Sequence, residues 1–593
     1  MEVKTQEKHY ILFIALLQGL ALLGMHNWVV GLANPDHHFG VIFPLYALII
    51  TLPLSLMMLV SSPRAIVIKL ALGFSLVAAF CAAYVGYANT AKNLPNYYNN
   101  SDVYWLLGFC IYVAWFIVLA FFEHYCQFKH WANLKISRYE ALFNFSWRNA
   151  VKIITAGIFA LLFWGALALL AGLFKVLGIL FFQDLITNRH FVYPATVLAF
   201  GLGLSLYTAK EEALAEFKRA ILQVLGWLLP LVSFILLSFI ITLPFKGLNL
   251  LWGTGYATAL MLSLLGLTIF LLNAAFQDGN QIKYPNWLLQ LTNIGLMTLP
   301  IYLGLCVYAL YLRVHQYGWT AERVWGAALI ALMAIYALGY AFAAIKSFKN
   351  LSAWMQITKP VNIIGAWFLV TLLCLLNSPL LNPVRIAVQS QVAKLIEGKV
   401  SATNFDYQYL RFSGGNYGNN ALDALIKNTK LKDAATVKSL AEAALKAEYR
   451  NDLPEILAGT ETLKTKIKIH PKNVVLDIEF YAAVLKSYRA EEIYLDCLLV
   501  SHLANNCQAL VLDLNQDKNP EVIIFNNYEQ RVFSKTTSGW RYIGALQSTS
   551  GSYSFSQKET LQKELESGDF KAVTPEWQQL QLGEDVFQLS LKN

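Results

Sequence analysis

Charge is the scarcest property of this chain. Asp, Glu, Lys and Arg make up 14% of its 593 residues, against 56% hydrophobic residues. A soluble domain carries about 25% charged residues. The deficit excludes a soluble enzyme, a disordered regulator and a nucleic-acid binder. Short catalytic signatures are missing as well. There is no Walker loop, HExxH, GxSxG, dinucleotide fingerprint or kinase set. No nucleotide or redox cofactor is indicated, and an enzyme is the less favoured class. Charge inside the apolar runs is rarer still, whereas ion-driven carriers need a carboxylate or His there. His26 and Arg313 are the deepest such residues, near run ends, and Glu123 and His124 close the fourth run. They read as facing an interface rather than lining a pathway. Cysteine is sparse, with seven in all. Cys81, Cys110, Cys126, Cys306 and Cys374 are scattered through the apolar part and read as small apolar fillers. Cys497 and Cys507 alone lie beyond it, and they are a candidate disulfide of an oxidising compartment.

What the chain has is length of apolar sequence. Eleven runs of about 20 residues are each long enough to cross the hydrocarbon core as a helix. They lie near 10–31, 40–60, 65–88, 103–122, 150–173, 192–209, 223–245, 256–276, 291–312, 323–345 and 361–381. The sixth is short, and 247–259 also fits a re-entrant segment. The first run has no small-residue cleavage site and reads as a retained anchor. Residues 1–381 hold 22 Lys+Arg against 12 Asp+Glu, while 382–593 hold 24 against 25. With the N-terminus in the cytoplasm, sixteen of those 22 cations fall on the cytoplasmic side and six outside. That bias obeys the positive-inside rule, and an odd number of spans carries the C-terminal region outside. The expected fold is a polytopic α-helical membrane bundle (1–381), a membrane-proximal helical segment (382–450) and a soluble α+β domain (451–593).

Several connections mix aromatics with Lys and Arg, notably 123–149, 210–223 and 346–359. They suit the headgroup layer, as plain anchors or as sites for anionic lipid. Pro53, Pro230 and Pro300 sit inside runs and each frees a backbone carbonyl. Such breaks mark transporter sites in some bundles and are ordinary in others. The tenth run repeats small residues at four-residue spacing (Ala337/Ala341, Gly339/Ala343), the mark of close helix packing.

Residues 308–323 read YALYLRVHQYGWTAER, a span end, a tight turn and a new span. Gly318 supplies turn freedom, Thr320 an N-cap and Glu322 a first-turn acid. Arg313, Tyr317 and Arg323 complete the string. The two arginines lie on the outer side against the charge bias, where they pair with Glu322, bind an anion or dock the outer domain. The string resembles the signature of a bacterial membrane family, the domain of unknown function 4153 family. LLNSPLLNPVRIAVQSQVAKLIEGKV and FDYQYLRFSGGNYGNNALDAL continue the resemblance. It implies a bacterial cytoplasmic-membrane protein and supplies no catalytic residue.

Beyond 382 the pattern turns soluble. PVRIAVQSQVAKLIEGK, NNALDALIKN and DAATVKSLAEAALKAEYR have helical spacing. The glycines of SGGNYG (413–418) follow no strand and read as a plain loop rather than a phosphate cradle. After about 490, CQALVLDLN, EVIIFNN, QRVFSK and WRYIGAL read as strands, followed by a helix near 557–567 and a hairpin at LGED. Between the first two strands, Asp513, Asn515, Asp517, Asn519 and Glu521 stand at alternate positions of a tight loop. That is the spacing of oxygen ligands around Ca²⁺. The loop is similar to that of FG-GAP repeats, with Pro520 in place, but Lys518 stands where Gly is preferred. A β-hairpin turn that merely favours Asp and Asn accounts for the same residues.

Three functions compete. The first is an envelope receptor or scaffold whose outer domain binds a ligand or partner. The second is a transporter of lipid or a poorly charged solute, favoured by a polar, water-filled cavity. The third is an intramembrane lipid- or glycan-modifying enzyme, favoured by a pocket holding Glu322, Arg313 and Arg323. Membrane lipids are expected partners in all three.

Overall fold

A computed structural model gives the architecture. It describes residues 2–546 except 33–34, 90–100, 130, 132–137, 210, 248–256, 278–283, 349–352, 432, 448–462, 465–466, 472–473, 490–491, 494, 496–506, 526–529 and 538; beyond that it describes 565, 567, 580–582 and 585–587. The 247–259 segment, most of the helix expected near 557–567, and Cys497 therefore lie largely or wholly outside the described residues. The chain divides into two compact units, 1–394 with 409–424, and 395–408 with 425–593.

The first unit is a helical bundle. Its long helices are α1 (Glu2–Val30), α2 (Phe39–Met58), α3 (Arg64–Asn89), α4 (Ser101–Phe128) and α5 (Tyr139–Val176). After short α6 (Phe181–Thr187) come α7 (Arg189–Ala209), α8 (Glu211–Lys246), α9 (Ala257–Phe276), α10 (Asn286–Met297), α11 (Leu299–Tyr317), α12 (Ala321–Ser347) and α13 (Ala353–Leu376). Large apolar side chains point outward, with Phe109 63%, Leu161 73% and Leu169 73% exposed. In lipid that exposure costs nothing, because the surroundings are as apolar as the side chain. Backbone groups are satisfied within the helices, as a bilayer demands, except where a proline frees a carbonyl. The chain is a multi-pass membrane protein.

By length and hydropathy ten spans qualify among the described residues, not eleven. The one left out is α7, whose first residues Arg189, His190, Tyr193 and Pro194 dilute its apolar stretch. Its packing is nonetheless that of a full-length neighbour. Against α1 it runs antiparallel, His26 meeting Tyr193 at 5.1 Å and Ala15 lying beside Gly201. Against α5 it is again antiparallel, from Trp164–Thr196 to Ala156–Gly203. The run expected at 291–312 is two helices, broken at Thr298. Pro300 lacks an N–H there, and the Thr298 hydroxyl donates to the Gly295 carbonyl at 2.7 Å. Residues 211–223 are the first part of the continuous 36-residue α8. On α12 the small residues do pack closely. Ala337, Ala341 and Ala343 are buried, and a Cβ at Gly339 would meet Val361 of α13 at 2.5 Å.

After α13 come α14 (Pro383–Ile396), ended by Gly398 at φ +70, then α15 (Tyr407–Phe412), α16 (Gly415–Lys427) and α17 (Ala434–Lys446). The SGGNYG string is a packing corner. Gly415, at φ +54, lies so near Ala88 that a Cβ would come within 2.4 Å of its carbonyl oxygen. Asn416 there donates to the Tyr87 carbonyl, and Tyr417 meets the Tyr84 hydroxyl.

The second unit is α+β. Strands β1 (Ile467–His470), β2 (Cys507–Leu512), β3 (Glu521–Phe525), β4 (Gln530–Thr536) and β5 (Gly539–Leu546) form one sheet in sequence order. A separate hairpin joins β6 (Leu580–Leu582) to β7 (Asp585–Phe587). The four strands read from sequence after 490 are β2–β5. The pattern missed β1, which pairs parallel with β2, and α18 (Ile478–Arg489) in the crossover. At four residues β1 is too short to show a period. Phe480, Tyr481 and Val484 of α18 pack on the sheet face carrying Ala509, Ile524 and Phe533. Leu510, Ile523 and Val532 of the other face meet Leu565. Burial on both faces explains why EVIIF is a continuous apolar run rather than an alternating one.

Candidate functional site

The 308–323 string is a clasp. Gly318 ends α11 at φ +76, ψ −174, a conformation that disfavours any side chain. The Arg323 guanidinium donates to the Gly318 carbonyl at 2.5 Å, and the Thr320 hydroxyl accepts from the Arg323 amide at 3.4 Å. The turn then grips α14. The Trp319 amide donates to Ser390 Oγ at 3.1 Å, and Gln391 Nε2 donates to the Trp319 carbonyl at 3.1 Å. A Cβ at Gly318 would meet Lys394 Cε at 2.7 Å. Arg313 and Glu322 are exposed, and the Tyr317 side chain lies outside the described residues. These charges do not gather in the large cavity described next.

A cavity of about 610 Å³ opens between α2 and α4. Its wall is apolar and aromatic, with Phe39, Phe43, Tyr46, Tyr104, Tyr112 and Trp115 contributing rings. Hydrogen bonds hold its deep end. Thr51 donates to Ser75 Oγ at 2.8 Å, and Trp115 Nε1 donates to Ser55 Oγ at 2.9 Å. Gly108 lines it, and a Cβ there meets nothing within 4 Å. The volume is that of a small-molecule site, but the lining is apolar, not the polar one that would favour a transporter.

Beside it is a second, small cavity of about 30 Å³ between α3, α4 and α13. Cys81, Cys110 and Cys374 all line it. Three of the five supposedly scattered thiols therefore converge. Cys81 approaches the Cys374 carbonyl at 4.0 Å, and Cys110 is engaged with Asn377.

Buried polarity is concentrated elsewhere in the bundle. Glu123 and His124 do not face an interface; they are 8% and 0% exposed. Glu123 is paired with Arg148 of α5 and accepts from Asn149 Nδ2 at 3.3 Å. A ring of uncharged groups joins four helices. Asn273 donates to the Tyr340 hydroxyl at 2.9 Å, and Tyr340 donates to Asn362 Oδ1. Asn362 Nδ2 in turn reaches Tyr139 OH and Asn273 Oδ1, each at 2.6 Å. These amides and phenols carry no charge that would mark them in the sequence. The prolines have local explanations. Pro53 frees the Ile49 carbonyl, and Gln18 Nε2 donates to it at 3.1 Å. Pro230 frees the Gly226 carbonyl, and the Tyr284 hydroxyl donates to it at 2.5 Å.

In the second unit the acidic loop folds on itself. Asp513 Oδ2 accepts from the Lys518 amide at 2.9 Å, Asn515 Oδ1 from Asp517 N at 3.0 Å, and Asp517 Oδ1 from Asn519 N at 2.7 Å. Glu521 is turned into the sheet, 2% exposed, accepting from Leu514 N at 2.9 Å and Ser534 Oγ at 3.2 Å. Among the described residues no three Asp, Glu, His or Cys side chains converge as a metal set. Asp513 Oδ1 is buried without a hydrogen-bond partner. Cys507 is disulfide-bonded, whereas Cys81, Cys110, Cys126, Cys306 and Cys374 are free. Just before α18, Asp477 accepts from Lys535 Nζ at 2.7 Å and Trp540 Nε1 at 2.9 Å. Burial alone raises the pKa of Asp477, but these bonds and that from Phe480 N hold it below the usual carboxylate value.

Compared with known proteins, residues 54–428 match the family described as Domain of unknown function (DUF4153). No curated protein and no solved structure matches the chain.

Proposed function

The chain belongs to the DUF4153 family, and on that footing we propose that it is a lipid-engaging scaffold or receptor of the bacterial cytoplasmic membrane. The spanning bundle takes a lipid chain between α2 and α4. The second unit stands on the outer side, where it meets a ligand or partner. One observation carries the lipid reading: an aromatic, apolar cavity of about 610 Å³ inside a bundle whose surroundings are acyl chains. A phospholipid bearing a photoreactive acyl chain, given to cells making the full-length protein, is expected to label peptides of α2 and α4. Gly108→Trp fills the open space at that position and lowers the labelling about tenfold, with folding checked by thermal unfolding. Labelling that ignores the substitution sinks the reading.

The outward placement rests on the Lys and Arg bias and on α7, whose antiparallel packing against α1 and α5 supports an odd number of crossings. The disulfide at Cys507 agrees with an oxidising compartment, and Cys497 is its proposed partner. A C-terminal alkaline phosphatase fusion should be active, and peptide mapping without reductant should link 497 to 507. An inactive fusion with a fluorescent cytoplasmic reporter in its place reverses the topology.

A second reading attaches to the 513–521 loop. Asp513 Oδ1 is buried without a partner, and Lys518 holds φ +71, the left-handed turn a tight cation loop needs. Asp513, Asn515 and Asp517 would hold Ca²⁺, with a backbone oxygen from Asn519. Glu521 supports the loop from the sheet. The measurable sign is stability that rises with Ca²⁺.

A further inference from the structure

We propose that Cys81 and Cys374 form a redox-active dithiol that closes to a disulfide by reducing a lipid-soluble quinone. Three observations carry it. Cys81 Sγ lies 4.0 Å from the Cys374 carbonyl, and both thiols line the same small cavity, although 293 residues separate them in sequence. Both are free. Cys110, which shares their cavity, is engaged with Asn377 and leaves them as the reacting pair.

The surroundings select the oxidant. Cys81 is 7% exposed and sits within an apolar bundle, so an oxidant dissolved in water has little access. Leu107 and Ile111 line both the thiol cavity and the aromatic cavity between α2 and α4. A lipophile in the larger cavity is thus one side chain away from the thiols. The inference rests on the lipid reading of that cavity for the route the quinone takes, but not for the thiol pairing.

The step balances without another reactant. The Cys81 and Cys374 S–H bonds break, an Sγ–Sγ bond forms, and two electrons and two protons leave. The quinone takes both electrons and both protons on its two oxygens and becomes a quinol. The new bond ties α3 to α13, and because Cys81 is buried, reversal needs a thiol or quinol that reaches the same cavity.

The test uses the reduced full-length protein in lipid nanodiscs, without oxygen, with decylubiquinone as the probe. About one quinol per chain should form, together with a 81–374 disulfide in the peptide map. Cys81→Ser and Cys374→Ser should each lower the yield at least about tenfold, while Cys110→Ser keeps it. The wild-type map needs no variant to fold. Free thiols at 81 and 374 after quinone treatment overturn the proposal, as does a disulfide to Cys110. Photolipid labelling of the same sample separates the two readings. Labelling without oxidation rejects the dithiol alone, and oxidation without labelling rejects the lipid cavity alone.

Discussion

Arg148→Ala is expected to destabilise the bundle by about 3–5 kcal/mol. The substitution leaves Glu123, 8% exposed, with a carboxylate whose cationic partner is gone. Asn149 Nδ2, at 3.3 Å, is a single neutral donor and cannot replace it. A carboxylate shut away from water either keeps its charge at high cost or takes up a proton. The double variant Glu123→Gln with Arg148→Met removes both charges and should recover most of the loss, because a buried pair is worth much less than its broken half suggests. Thermal unfolding in nanodiscs checks both. If Arg148→Ala unfolds within about 1 kcal/mol of wild type, the pair is solvated at the membrane surface.

Ca²⁺ at about 100 times its dissociation constant is expected to stabilise the second unit by about 2.7 kcal/mol. Proteolysis of residues 395–593 in the full chain, followed against temperature, reads this out. Asp517→Ala should abolish the gain, since it removes a carboxylate that also anchors Asn519 N at 2.7 Å. Lys518→Gly should enlarge it. A non-glycine residue at φ +71 carries about 1–2 kcal/mol of strain, and the ammonium repels the ion. Stability indifferent to Ca²⁺ leaves the segment a turn closed by its own amides.

Legibility from sequence followed the range of each signal. The spanning helices were plain because every residue of a 20-residue run votes for the same state. Gly318 and Thr320 were plain because a turn is a local event, and their roles as C-cap and N-cap are what the structure shows. The grip of the same turn on Ser390 and Gln391 was not, because it joins residues about 70 positions apart. The thiols show the limit most clearly. Cys81 and Cys374 are single apolar-compatible residues, and nothing local distinguishes them from Cys306, which is simply buried in a core. Four-residue β1 and its parallel partner are also non-local, and α7 was the weakest span because its apolar run is short.

The carbonyls freed by Pro53 and Pro230 bear on how the protein is made. A helix entering the bilayer from the ribosome can satisfy its own ladder, but not a carbonyl that a proline has deprived of its donor. For α2 the remedy is already present, since Gln18 is synthesised before Ile49. For α8 it is not. Tyr284 follows Gly226 by 58 residues, an interval of about 3–12 seconds at ordinary rates of chain elongation. During that interval α8 needs another donor for that carbonyl: water at the lateral gate, a lipid headgroup, or the insertion machinery itself. The N-terminal hairpin can therefore be released into lipid as it emerges, whereas α8 has reason to be retained until the chain has reached Tyr284.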